Sequence, residues 1–466
     1  MEGWIQKTDD LVWGPWLLAL LLGTGIYLTL RLRFLNFRNL KFALGCALGR
    51  PETKKDRRSG AAGKAGKVSS FSSLTTELAA TIGTGNIVGV STAMVLGGPG
   101  ALFWMVVTSF LGMATKLVES TLAVKYRGCN EKGQTAGGPM YVMEKAFPNK
   151  RAGHFLAVCF ALFAVFASFG MGNMTQANSI ADALYVTFSV PKASSGLVFT
   201  VLTILVVLGG IGVIGKVTRL VVPFMGIVYM LGTLAVLLVH WKNIPMAVGG
   251  ILTAAFSPRA VSGGLFGQVT LSAFQSLRWG VSRGIFSNEA GLGAAGISAA
   301  AADTEDYVRQ GYISMTGVFL DTAVICTATG LALASSGVLG AVDSTGKPLT
   351  GTALTLAAFH RALGDYGEKF IGICIVLFAF ATIVGWAYQG ERAFEFLMGG
   401  RVKYNLLYRF VYGFAAFVGC MCPLQTVWDL SDICNGLMAV PNLICLLALS
   451  GPICREIVGY SSGKGK

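Results

Sequence analysis

Long apolar runs recur along the whole chain, each near the roughly 20 residues that an α-helix needs to cross a bilayer. In order they fall at 12–30, 72–96, 100–124, 155–180, 197–214, 218–240, 262–284, 311–334, 369–391, 404–423 and 426–448. Their length and repetition predict an all-α integral membrane protein with about eleven transmembrane helices. Run 262–284 is polar and glycine-rich, and the last two runs are less apolar than the others. The opening MEGWIQKTDD holds more acids than bases, and no small-residue cleavage pattern follows. Run 12–30 therefore reads as a retained helix and not as a signal peptide. The longest outside connection, 335–368, contains Gly340, Gly346, Pro348 and Gly351 and then an amphipathic stretch at 353–363. It reads either as a lid or re-entrant segment or as a plain surface loop.

Composition supports the membrane reading. Charged residues are 13% of the chain, about half the share of a soluble domain. Mean hydropathy is +0.63. The 61 glycines suit helices that approach closely within a membrane. A formal net charge of +14 raises the question of nucleic acid, and the placement of the charge answers it. Between Arg31 and Lys67 stand eleven Lys and Arg against two acids, directly after the first run. Further basic clusters follow spans three, seven and nine, at 125–151, 278–283 and 392–403, with Lys216 and Arg219 after span five. By contrast, the tip 97–100 is uncharged, and 185–196 holds only Lys192. The positive-inside rule then sets the N-terminus outside and the C-terminus in the cytoplasm. The implied surroundings are membrane lipids, with no nucleic acid, and a monomer suffices.

Enzyme chemistry finds no foothold. The chain has no Walker A loop, zinc-protease pair or nucleophile elbow. Cys420 and Cys422 are too close for the usual metal pair, and three histidines add little, so no structural metal is expected. Cys159, Cys326, Cys374 and Cys445 lie within apolar runs and read as small fillers. An ion gradient or passive flow is left as the driving force.

After the first helix, ten spans remain, and they divide into five plus five. The boundaries are 1–68 for a peripheral helix and basic loop, 69–245 and 246–450 for two five-helix repeats, and 451–466 for a cytoplasmic tail. Both halves begin with glycine-interrupted helices. Span two contains Gly83-Thr84-Gly85-Asn86, and span seven opens with Gly263-Gly264-Leu265-Phe266-Gly267 and later has Gly280 and Gly284. A break at Gly83–Asn86 exposes carbonyls for a cation and free N–H groups for a carboxylate. The same glycines also suit a tight packing face, with Thr84 and Asn86 bonding to neighbours. Glu77, two turns earlier, is a cation ligand, a partner for a substrate amino group or an ion-pair partner of Lys116. In span four, Asn173 and Gln176 are three apart and share a helical face, lining a polar cavity or joining helices. Phe274 and Gln275 in span seven and Trp386 in span nine are candidates to close over a small substrate, and Thr382 to complete a sodium shell. Asp321, Asp429 and Asp432 are further acids in or near spans.

Five stretches in order resemble the alanine or glycine:cation symporters, a usually sodium-dependent family of bacteria and archaea. They are Gly83-Thr84-Gly85-Asn86-Ile87, the run GGPGALFWM at 97–105, Gly137-Gly138-Pro139-Met140-Tyr141, the run RGIFSNEAG at 283–291, and Gly385-Trp386 with Gly390-Glu391-Arg392. The resemblance spans nearly the whole chain. It implies a five-plus-five inverted-repeat core with broken helices, within the amino acid-polyamine-cation superfamily, in a prokaryotic inner membrane. It implies inward symport of alanine or glycine with Na+. Gly83, Thr84, Gly85 and Asn86 would then hold the carboxylate, with Gln176 and Trp386 at the pocket. The cation would lie between Thr382 and carbonyls near Ala80 and Gly83. Arg283, Asn288 and Glu289 would act in gating, from a cytoplasmic loop after span seven. Val106 replaces a frequent second tryptophan, and Ala381 removes one of two hydroxyls expected at the cation position. The rival functions are a passive channel or facilitator and a non-transporting amino-acid receptor.

Overall fold

The computed structural model describes residues 2–49, 68–256, 260–262, 269–271, 273–422 and 424–463. The chain opens with α1 (Glu2–Val12), α2 (Pro15–Arg31) and α3 (Leu40–Ala47). Pro15 stands in the first turn of α2, where its missing N–H costs no hydrogen bond. A helix in two pieces follows: α4 (Ser70–Thr81) and α5 (Val88–Leu96), with a 3-10 turn at Thr84–Asn86 between them. Ser69 caps α4 by accepting from the Ser72 amide at 3.1 Å. Next come α6 (Ala101–Lys125), α7 (Lys150–Phe188), α8 (Lys192–Leu208), α9 (Gly210–Val239) and α10 (Ile244–Phe256). A second two-piece helix is α11 (Ala273–Asn288) with α12 (Ala294–Ala300). The chain ends with α13 (Tyr307–Ser336), α14 (Gly351–Leu397), α15 (Asn405–Met421) and α16 (Leu424–Gly463). Among the described residues, strands are confined to two short antiparallel hairpins, Gly128–Cys129 with Thr135–Ala136 and Ala260–Ser262 with Val269–Leu271.

Six described helices are long and apolar enough to cross a membrane, and α2 and α8 are shorter apolar helices. The exposed faces agree with this. On α9, Leu220, Ile227, Leu231 and Leu238 are all more than 60% exposed, which suits lipid and not water. In contrast, α6 is buried along most of its length and packs against α11 and α13. The chain is thus a multi-pass all-α membrane protein whose broken helices lie at its centre.

Several sequence boundaries shift. Run 262–284 is helical only from Ala273, after the hairpin strands. Gly263, Gly264, Leu265, Phe266 and Gly267 lie outside the described residues. A separate interruption follows α11 at 289–293. Helix α10 has 13 residues, too few to register as a span in the apolar pattern. The plain-loop reading of 335–368 fails at its second half. Residues 351–363 are helical up to a kink at Gly364, with φ +64°. Leu354, Leu356, Ala358 and Phe359 are buried there, and the Ser91 hydroxyl of α5 donates to the Gly351 carbonyl at 3.0 Å. Finally, α16 continues through Gly463, so 451–463 extends the last helix.

Close helix approach leaves a test. A Cβ at Gly100 would stand 2.5–2.6 Å from backbone atoms of Ala254 and Ala255, whereas at Gly249 it meets nothing within 4 Å. Gly100→Leu should destabilise the purified protein by about 1–3 kcal/mol or more. Gly249→Leu should leave it unchanged. Thermal melting followed by size-exclusion chromatography reads both.

Candidate functional site

The first break begins where Ile82 leaves the helical region and Gly83 turns extended, at φ −140° and ψ −151°. The Gly83 amide has lost its helical acceptor and donates to Asn86 Oδ1 at 2.9 Å. Thr84 donates twice to Gln176 Oε1, from its amide at 3.3 Å and its hydroxyl at 2.8 Å. Gln176 in turn donates from Nε2 to the Met171 carbonyl at 3.0 Å. That carbonyl belongs to a π-helical stretch, Gly170–Met174, inside α7. Gly83 faces the Thr382 hydroxyl so closely that a Cβ would overlap it. At Gly85 a Cβ would be 3.1 Å from the Ser287 Cα, and at Gly385 it would be 2.6 Å from the Ala80 nitrogen. The glycines are therefore required by contact between α4, α11 and α14, beyond any freedom they give the backbone.

The second break is strained in a different way. Glu289 sits at φ +56°, with Gly291 and Gly293 at +90° and +93°. Lys116 reaches it from α6, donating to the Asn288 carbonyl at 2.9 Å. The same ammonium lies 3.4 Å from Glu77 Oε1, and both side chains are fully buried. A cation at the C-terminal end of α11 also complements the helix dipole. Asn442 of α16 donates to the Gly291 carbonyl at 2.9 Å and to Glu119 Oε2 at 3.1 Å. Glu289 is fully buried, and neither of its carboxylate oxygens has a well-formed hydrogen bond. It faces Lys116 and the Trp386 indole.

Asp321 joins the two breaks. It lies in a second π-helical stretch, Phe319–Cys326 of α13. Its Oδ1 accepts from Asn86 Nδ2 at 2.7 Å, and its Oδ2 accepts from the Ser287 hydroxyl at 2.8 Å and the Thr322 hydroxyl at 2.7 Å. Asn288 donates to Thr322 Oγ1 at 3.1 Å. One carboxylate thus ties the first break to the end of α11. Sequence reasoning noticed Asp321 without assigning it a role, and gave Ser287 none. The available signal was an acid within an apolar run.

Gly83, Thr84, Gly85, Asn86, Gln176, Ala80 and Thr382 come together around the first break. Trp386 is fully buried about one turn beyond Thr382 and packs over Gly172, where a Cβ would overlap its own. Three candidates lie elsewhere. Glu77 points to Lys116 and to Gly317 of α13, away from Thr382, because those neighbours supply its counter-charge and its space. Phe274 is 48% exposed, and it and Gln275 stand at the start of α11, about four turns before the break. The stretch 283–291 is the second half of α11 and the break itself, and not a loop beyond a span. Arg283 makes a two-pronged ion pair with Asp432 of α16, at 3.1 and 2.6 Å, with its guanidinium 4.7 Å from the Trp428 ring centre. Asn173 and Gln176 do not share a face. Asn173 donates to the Tyr412 carbonyl of α15 at 2.6 Å, while Gln176 meets Thr84, because the π turn changes the angular spacing between them.

The buried ammonium gives a quantitative expectation. Removing one partner of a buried ion pair costs about 3–5 kcal/mol. Lys116→Met should lower stability by about that much, and Glu77→Gln added to it should recover part of the loss. Recovery stays partial because the Asn288 carbonyl also loses its donor. Melting of the four proteins of this cycle measures it.

Comparison with known proteins bears directly on this geometry. Residues 1–466 match the model of the sodium:alanine symporter family. The chain is 47% identical to the sodium/alanine symporter AgcS of Methanococcus maripaludis, across 98% of this chain and 96% of that one. It is 35% identical to the probable sodium/glutamine symporter GlnT of Bacillus subtilis, across 100% and 91% of the two chains. A putative sodium/proton-dependent alanine carrier protein, YrbD of the same organism, is 32% identical across 100% and 93%. On this match, the chain belongs to the sodium:alanine symporter family, a family of transporters and not of enzymes.

Proposed function

We propose that this chain carries alanine or glycine into the cell together with sodium, by alternating access. The observation that carries this reading is the first break, with Gln176 on one side and Thr382 on the other. The substrate carboxylate binds at the N-terminal end of α5, beside Thr84, Gly85 and Asn86, where the helix dipole favours an anion. Sodium binds between the Ala80 and Gly83 carbonyls and the Thr382 hydroxyl. The Thr84 amide donates to Gln176 and leaves the Ala80 carbonyl without its helical partner. Ala381 supplies no second hydroxyl, so this site leans on carbonyls. Glu77, Phe274 and Gln275 are left out of the set because of where their side chains lie. A small substrate is supported by Gly83 and Gly172, each of which faces a neighbour with no room for a Cβ, by the tight approach of Gly85 to Ser287, and by the wholly buried Trp386.

The helix order fits a five-plus-five core. In this scheme α4–α5, α6, α7, α8 and α9 form one repeat, α11–α12, α13, α14, α15 and α16 the other, and α2 is peripheral. That gives eleven spans, with the N-terminus outside and the C-terminus inside. Each repeat then begins with a helix broken near mid-membrane. Arg283 and Asp432 act as a lock between α11 and α16 that parts when the transporter opens. Asn288 and Glu289 form the hinge next to it.

Radiolabelled alanine uptake into proteoliposomes decides the matter. An inward sodium gradient should raise initial uptake at least tenfold over potassium. Uptake indifferent to both sodium and proton gradients, or single-channel conductance without coupled solute flux, would favour a channel. Alanine binding without any flux would favour a receptor. Thr382→Val should raise the half-saturating sodium concentration about tenfold, equivalent to about 1.4 kcal/mol. Gln176→Ala should instead weaken alanine binding at saturating sodium, read by competition with labelled alanine.

A further inference from the structure

A cavity of about 630 Å³ opens on the far side of α4 from Thr382. Leu44 of α3, Leu78 and Ile82 on α4, Val222 and Gly226 of α9, and Val324 in the π-helical stretch of α13 line it. Its wall is almost wholly apolar. Ile227 and Leu231, which border it, are each 62% exposed on the lipid-facing side of α9, so the groove opens sideways to the bilayer. An acyl chain is the occupant that reaches such a place from the membrane.

The polar end of the groove has a definite sign. On α9, Arg219 precedes Val222, Pro223 and Gly226 by three, four and seven residues, and Lys216 precedes Arg219 by three and Pro223 by seven, which places both on one helical stripe with the groove. Lys41 stands three residues before Leu44 on α3. All three are exposed, and among the described residues no carboxylate pairs with them. Their level is set by α4. Gly215 abuts Val68 and Ser72, and the Thr218 and Thr76 hydroxyls are 3.2 Å apart. Lys216 and Arg219 are therefore level with the start of α4, while Ile82 marks the other end of the groove, at the helix break.

We propose that this groove holds one anionic phospholipid, with its acyl chain along α4 and its phosphate at the rim formed by Lys41, Lys216 and Arg219. The chain lies against the half-helix that ends at the break and against the π-helical stretch that carries Asp321. It braces both, so occupancy couples the surrounding lipid to the mobility of α4.

Native mass spectrometry of the delipidated full-length protein, offered equal phosphatidylglycerol and phosphatidylcholine, tests the site. The unaltered chain should retain one phosphatidylglycerol, at least fivefold over phosphatidylcholine. A Cβ at Gly226 meets nothing within 4 Å, so Gly226→Phe fills the groove and should cut retention about tenfold. Gly249→Phe adds the same bulk to an equally open position on α10 and should not. Lys41→Gln with Arg219→Gln should erase the preference for the anionic lipid. Hydrogen exchange of residues 70–82 should be slower with phosphatidylglycerol than with phosphatidylcholine. Equal retention of both lipids by the unaltered chain, or undiminished retention by Gly226→Phe, overturns the proposal. If Gly226→Phe is not monodisperse, the charge variant decides alone, and a preference that survives it overturns the proposal.

Discussion

Backbone groups freed by the two helix breaks have no water to turn to at membrane depth, and the need to give each a partner organises the centre of this molecule. Asn86 supplies an acceptor for the Gly83 amide within its own turn. Gln176 supplies one for Thr84 from α7, Lys116 supplies a donor for the Asn288 carbonyl from α6, and Asn442 supplies one for Gly291 from α16. Three of these partners, Gln176, Lys116 and Asn442, are polar side chains planted on otherwise apolar helices. Such residues are costly in a membrane, and the cost is offset because the alternative is an unpaired peptide group. Asp321 adds the step that makes the two breaks one unit. Moving α4–α5 relative to α11 must disturb the hydrogen bonds that converge on that carboxylate.

The polar substitutions and the glycines answer the same constraint from opposite sides. Polar side chains bring partners to the backbone, and glycines let neighbouring backbones come near enough to be reached. Gly83, Gly172 and Gly385 all face a neighbouring helix with no space for a methyl group, and Gly85 leaves little. The centre is consequently tight where α4 meets α14 and where α7 meets α14. Helices α8 and α9, by contrast, carry large apolar side chains on their outer faces and meet few such demands.

Much of this was legible in the sequence because it rests on composition over many residues. Apolar runs located most spans, and the Gly83–Asn86 stretch located the first break. What the pattern could not carry was direction. Glu77 was read with three possible partners, and only packing shows that Lys116 is the one. Phe274 looked like a pocket residue because an aromatic beside a glutamine is suggestive, yet it lies near the start of α11 with half its surface exposed. The glycines at 263–267 lie outside the described residues, and the turn at 289–293 joins Gly291 and Gly293 to Glu289, a non-glycine residue that also takes the left-handed conformation. Spacing does not rank Ser287 and Asp321, because their importance comes from the meeting of Ser287 and Asn86 on the Asp321 carboxylate across three elements.

The two π-helical stretches change how neighbouring positions relate. Each widens the helix locally, so the angular spacing that serves elsewhere does not carry across it. Asn173 and Gln176 show the result, with one serving α15 and the other the first break. An α-helix with uniform turns would have aimed both at the same neighbour. The widened turn lets a single transmembrane rod serve α15 through Asn173 and the first break through Gln176. For a machine that must hold its scaffold still while its centre rearranges, such a rod separates the fixed contact from the moving one over the length of a single turn.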